Sequence, residues 1–65
     1  MIEVKALRTD KYLRVTEGKV YKAEESDGNK ELIILDDDQG SNSSIAYHEK
    51  GYQHNEEFQK KFKIQ

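Results

Sequence analysis

Glu31-Leu32-Ile33-Ile34-Leu35-Asp36 contains the longest apolar run of the chain, four aliphatic residues in a row. A run that short, bounded by turn residues, reads as a strand covered on both faces, because a buried helix needs roughly ten residues or more. Ser26-Asp27-Gly28-Asn29 lies before it. Asp, Gly and Asn accept the positive φ that tight hairpins demand, so the chain is expected to reverse there. Asp37-Asp38-Gln39-Gly40-Ser41-Asn42 follows as a second loop. The run is therefore expected to form the middle strand of a curled sheet, with a hairpin on each side.

Outward from that strand, Lys19 to Glu25 alternates, with Tyr21 and Ala23 on one face and Val20 and Lys22 on the other. Ser43 to His48 is its counterpart downstream, with Ile45 and Tyr47 facing one way. At the N-terminal end Ile2, Val4 and Ala6 share a face opposite Glu3 and Lys5, the period-2 mark of a half-buried strand. Arg8 to Gly18 is polar and reads as a long excursion, with Leu13 and Val15 tucked inward. A helix there is disfavoured: Thr9 has no Glu or Gln three residues on to complete a capping box, and Tyr12 to Thr16 is rich in β-formers. Asn55-Glu56-Glu57-Phe58-Gln59-Lys60 carries an Asn cap, acids first and a lysine last, which suits one helical turn and its dipole. Phe62 and Ile64 alternate once more and predict a short final strand. Five short strands at intervals of about ten residues indicate a small barrel or sandwich. Closure into a barrel is favoured, because an open sheet would leave two edges unpaired.

A chain of 65 residues buries only about 60% of its unfolded surface, so residues 1–65 are read as one domain with one core. Leu, Ile, Val and Phe supply 14 of the 65 residues, near the ~20% below which chains tend to stay disordered, so stability is expected to be marginal. Cysteine is missing, which removes disulfides and thiolate metal sites and fits a reducing cytoplasm. Met1 to Leu7 alternates and lacks the unbroken apolar run of a leader or membrane span. The expectation is a cytoplasmic protein with no membrane partner.

Net charge is −2, but it is unevenly distributed. Residues 1–24 carry six basic and four acidic groups, residues 25–57 two and nine, and residues 58–65 three basic groups. An acidic balance disfavours a duplex nucleic-acid binder, whose affinity comes largely from neutralising phosphates.

The chemistry-bearing clusters are thin. Asp36-Asp37-Asp38 with Gly40 and Asn42 invites a calcium reading, yet an EF-type loop begun at Asp36 places Asp38, Gly40, Ser41 and Tyr47 at its third, fifth, sixth and twelfth positions, where the pattern fails. A solvated turn is the plainer reading. His48 and His54, near Glu49 and Glu56, lack a third strong ligand at supporting spacing for zinc. No metal site is expected. The serines cluster in a loop and the four glycines stand singly at turns, so neither an activated nucleophile nor a phosphate-cradling loop can be assembled. Neither catalytic activity nor a cofactor is expected.

Leu13-Arg14-Val15-Thr16-Glu17-Gly18-Lys19-Val20-Tyr21-Lys22-Ala23, then Ile33-Ile34-Leu35-Asp36-Asp37-Asp38 and a late Phe58, resemble the small SH3-like barrel proteins encoded by phages and prophages of Gram-positive bacteria. Those proteins share a "Leu-Thr-x-Gly-Lys-x-Tyr-x-Val" strand entry, an "Asp-Asp-x-Gly" hairpin and a terminal aromatic after a short turn. The resemblance covers most of residues 13 to 62. This chain departs from it by placing Val15 before Thr16, by ending the second strand at Ala23 and by inserting Gly51-Tyr52-Gln53-His54. The resemblance implies an all-β, five-stranded SH3-like barrel with one short helical turn near the C-terminus, and a phage or prophage origin. It lends no biochemical activity.

The function expected is non-enzymatic: a protein-interaction module whose contact surface draws on Tyr12, Arg14, Tyr47, Tyr52, Asp37 and Asp38, since exposed aromatics beside charge dominate contact energies. In a phage setting the partner is a host or phage protein. The alternative is weak single-stranded nucleic-acid binding through Lys5, Arg8, Lys11 and Arg14, joined by Lys60, Lys61 and Lys63 if the first and last strands are neighbours. The plainer account is that these lysines blunt edge strands and keep the protein soluble. A further alternative is an acidic DNA mimic that uses the middle of the chain. A homo-oligomer is also open, because so small a core gains from covering one more face.

Overall fold

A computed structural model describes residues 1–65, and its regular structure is mainly strand. The elements are β1 (Ile2–Ala6), β2 (Val20–Ser26), β3 (Glu31–Leu35), β4 (Ser43–Tyr47), a single 3-10 turn (Tyr52–His54), α1 (Glu56–Lys61) and β5 (Phe62–Ile64). All neighbours are antiparallel in the order β4-β3-β2-β1-β5, and the sheet curls into a half-barrel. The expected mainly β architecture of five strands with a short C-terminal helix is therefore observed. Asn55 caps α1 through a hydrogen bond from the Phe58 amide to its Oδ1 at 2.9 Å. No helix is long and apolar enough to cross a membrane.

Two expectations are corrected. The middle strand is β2, not β3, and β3 is covered on one face only: Leu32 and Ile34 are fully buried, whereas Ile33 and Leu35 are half-buried. The reason is that the sheet wraps one core on its concave side and nothing lies over the convex side. There Ile33 pairs with Glu24 and Leu35 with Lys22, long side chains whose aliphatic stems shield apolar neighbours. The second correction concerns β4. The register shifts between Leu32↔Ala46 and Ile33↔Ser44, so Ile45 is an extra, bulged residue. Ile45 and Ala46 both turn inward and Tyr47 turns out, because a bulge breaks strict alternation.

The C-terminal segment fills the open side of the half-barrel. Tyr52 meets Phe58 edge-on at 5.6 Å between ring centroids, and Phe58 stacks on Phe62 at 5.8 Å. These rings join Val4, Ala6, Tyr21, Ala23, Leu32 and Ile34 in one core. Helix α1 packs against both edge strands, β4 and β5. The last strand pairs with the first: Val4 lies opposite Ile64, Lys5 opposite Lys63 and Ala6 opposite Phe62.

Candidate functional site

The excursion between β1 and β2 is ordered by its own side chains. Asp10 and Val15 exchange backbone hydrogen bonds at 3.0 and 3.1 Å, and the Leu13 amide donates to Asp10 Oδ1 at 3.1 Å. The four residues between, Lys11 to Arg14, form a braced turn. Asp10 Oδ2 also accepts from Lys61 Nζ at 3.3 Å, which ties the turn to the end of α1. The Leu13 amide, and then Lys61, hold the Asp10 carboxyl below its ordinary value against partial burial. Tyr12 stands at the tip, 89% exposed.

A second set of bonds joins this excursion to the β3–β4 loop. Arg14 adopts φ 61°, a left-handed conformation that non-glycine residues rarely take. Its Nε donates to Asp37 Oδ2 at 2.7 Å and its Nη2 to the Asn42 carbonyl at 3.2 Å. The Arg14 carbonyl accepts from the Asp38 amide at 3.0 Å. Asp37 has no exposed side chain, and its Oδ1 accepts from the Gln39 and Ser41 amides at 2.9 and 3.1 Å. Burial pushes the Asp37 carboxyl up, but Arg14 and those two amides outweigh it and hold the carboxyl below its ordinary value.

Asp38 closes the arrangement. Its Oδ2 accepts from Thr16 Oγ1 at 2.6 Å, and its Oδ1 from Tyr21 OH at 2.7 Å and Lys19 Nζ at 3.0 Å. These bonds, led by Thr16 and Tyr21, hold the carboxyl at about 2. In return Asp38 raises the Lys19 ammonium. Tyr21 is raised by burial first and by its bond to Asp38 second. The Tyr21 hydroxyl also accepts from the Thr16 amide at 2.8 Å. Two of the three carboxylates that suggested a cation loop, Asp37 and Asp38, are thus committed to protein donors.

Bracing the two loops together leaves an open groove between them. Lys11, Tyr12 and Arg14 form one wall, and Gln39, Asn42 and Ser44 the other. No carboxylate lines it. Arg14, Asp37 and Asp38 are joined by these bonds, and Tyr12 shares the groove lining with Arg14, but their roles differ. Asp37 is buried and acts as the brace behind Arg14. Tyr47, 53% exposed, lies at the far end of β4 opposite Glu31.

Tyr52 requires a correction. It is 2% exposed, belongs to the core and offers no contact surface. Its hydroxyl donates to Glu25 Oε2 at 2.8 Å, and burial, reinforced by that carboxylate, pushes it up to about 12. An inserted tyrosine between polar residues reads as exposed, and only the aromatic plug around Phe58 reveals otherwise.

The basic residues divide. Lys5 and Lys63 face each other on the outer side of the β1–β5 pair, both exposed. Lys61 is neutralised by Asp10 and Arg14 by Asp37, while Arg8, Lys11 and Lys60 are exposed and outside any ion pair. His48 and His54 have ring centroids 5.4 Å apart, a proximity that their separation in sequence gave no sign of. The Lys50 amide donates to His48 Nδ1 at 3.0 Å. No group of three His, Cys, Asp or Glu side chains is placed to hold an ion.

Thr16, Lys19, Tyr21, Gln39, Asn42 and Ser44 were missed by sequence reasoning. Their roles depend on contacts between loops more than a dozen residues apart, for which no local pattern exists. Comparison of the chain with models of protein families, with characterised proteins and with solved structures finds no match.

Proposed function

We propose that this domain is a non-enzymatic protein-interaction module and that the groove under Tyr12 is its contact surface. One observation carries the reading: a tyrosine 89% exposed on a turn braced by Asp10, Val15 and Lys61. A large apolar ring held in water gains by being covered, and a braced turn loses little conformational freedom when it is. Tyrosine and arginine on one rim are the residue types that dominate contact energies. The phage or prophage origin implied by the resemblance makes a host or phage protein in the host cytoplasm the natural partner.

The test compares wild type, Tyr12→Ala and Tyr47→Ala as baits for affinity capture under identical conditions. Tyr12→Ala is expected to keep its melting temperature and lose the captured partner, while Tyr47→Ala, remote from the groove, retains it. Equal capture by wild type and Tyr12→Ala overturns the reading.

A further inference from the structure

We infer that the groove receives an acidic segment of the partner protein, with an aspartate or glutamate carboxylate seated on the outward side of Arg14. The inference rests on the groove being the contact surface and specifies what occupies it.

Charge is the first argument. Lys11 and Arg14 are the only charged residues among those that line the groove; Asp37 balances Arg14 from behind, so Lys11, outside any ion pair, gives the lining its positive sign. The state of Arg14 is the second. Asp37 holds the guanidinium from behind through Nε, and Asp37 cannot turn away, because two backbone amides bind its other oxygen. Nη1 and the second hydrogen of Nη2 have no partner within the chain, and the side chain is 31% exposed. A planar fork of donors, fixed in place before binding, matches the two oxygens of a carboxylate. The φ of 61° at Arg14 is the kind of backbone cost that persists where neighbouring contacts over-determine a position.

The same surface argues against two other modes of recognition. A strand added along the β4 edge would meet the bulge at Ile45. The Asn42 and Tyr47 carbonyls that bound this edge are already bonded to Arg14 Nη2 and to Asn55 Nδ2, the latter at 2.9 Å. Recognition is therefore by side chains, with Tyr12 covering an apolar neighbour of the acid. A nucleic-acid strand brings a regular series of phosphates that needs several spaced cations. Here the lining offers only Lys11 and the free donors of Arg14, which suits one or two carboxylates and is too few for a longer polyanion.

The experiment titrates the full chain, followed by amide NMR, with a short acetylated peptide alternating Glu and Leu. The arms are its Gln counterpart and an oligothymidylate of equal length. The Glu peptide is expected to shift the amides of Lys11, Tyr12, Arg14, Gln39 and Asn42, to bind about tenfold more tightly than the Gln peptide, and to weaken as salt is added. Arg14→Lys is expected to lose most of this preference, because an ammonium keeps the charge but not the fork. Since changes at Arg14 disturb its pairing with buried Asp37, Lys11→Gln provides a second test in an exposed, unpaired residue, with an expected loss of about threefold. Lys63→Gln, on the outer sheet face, is the control and leaves affinity unchanged.

Equal binding of the Glu and Gln peptides at these residues overturns the carboxylate assignment and leaves the groove standing as a contact surface. Tighter oligothymidylate binding at the same residues replaces the peptide with a nucleic acid, and a response confined to Lys5 and Lys63 moves the interaction to the β1–β5 face. Shifts that track protein concentration alone assign the groove to a second copy of the chain. No shift with any probe also overturns the inference, whereas the failure of the interaction reading itself shows separately, as capture indifferent to Tyr12→Ala.

Discussion

Asp38 accepts from Thr16, Tyr21 and Lys19 at once, and each bond favours the charged carboxylate. Its folded value of about 2 lies below the ordinary 3.8. Protonation therefore favours the unfolded chain: the stability these bonds supply is complete above about pH 4 and is lost as pH falls through about 2. Asp10 and Asp37 are lowered too and add to the same slope. Asp38→Asn is expected to melt earlier than wild type at neutral pH and to show a shallower loss of melting temperature between pH 4 and 2. Thermal unfolding followed by circular dichroism across that range decides it, and parallel curves would remove Asp38 from the account. Arg14 shows the other residue-scale lesson: its positive φ and its buried partner, 23 residues away, are not visible in the local sequence.

The smallest elements hold the two edges of the sheet together. Helix α1 spans only Glu56–Lys61, too short to persist alone in water, so its cap and its packing decide whether it forms. Asn55 serves both: Oδ1 accepts from the Phe58 amide and Nδ2 donates to the Tyr47 carbonyl on β4, each at 2.9 Å. Asn55→Ala is expected to cost about 1 kcal/mol for the cap and about 1 kcal/mol more for the bond to β4. Asn55→Asp restores only the cap and should fall between the two. Denaturant unfolding of the three proteins checks the order, and an Asp variant no better than Ala refutes the capping role. Gly51 enters this segment at φ 120°, where a Cβ would lie 3.1 Å from Gln53 Oε1, so the turn into the plug depends on glycine.

At the scale of the whole molecule a single core carries the fold, and its margin is narrow. A domain this small draws only about 3–5 kcal/mol from its core, while truncating a fully buried Ile costs about 2–5 kcal/mol. Ile34, on β3 and completely buried, is the sharpest test. Ile34→Ala is expected to leave a largely unfolded population at 25 °C, read as collapsed amide dispersion, and a native spectrum would mean that the core is better supported than this.

The strands, both reversals and the capped helix were legible in the sequence because each rests on short-range physics: alternation, residues that accept positive φ, an Asn before two acids. The alternation of β4 was misread where the bulge at Ile45 intervenes, since a bulge is defined by the partner strand and leaves no mark on its own residues. The position of β3 was misread for a related reason. Four aliphatic residues specify burial, but which strand lies in the middle of the sheet depends on where β1 and β5 pair. Tyr12 and Tyr52 make the same point for the candidate site. Both are tyrosines in irregular segments, yet one is bare and the other is in the core, because only Tyr52 reaches the aromatic plug. The amino-acid sequence by itself determined that this chain forms short strands, a terminal helical turn and one core. The joining of Arg14 to Asp37, and with it the groove, was decided by the tertiary structure alone, because a contact between distant loops exists only after the sheet has curled and brought them together.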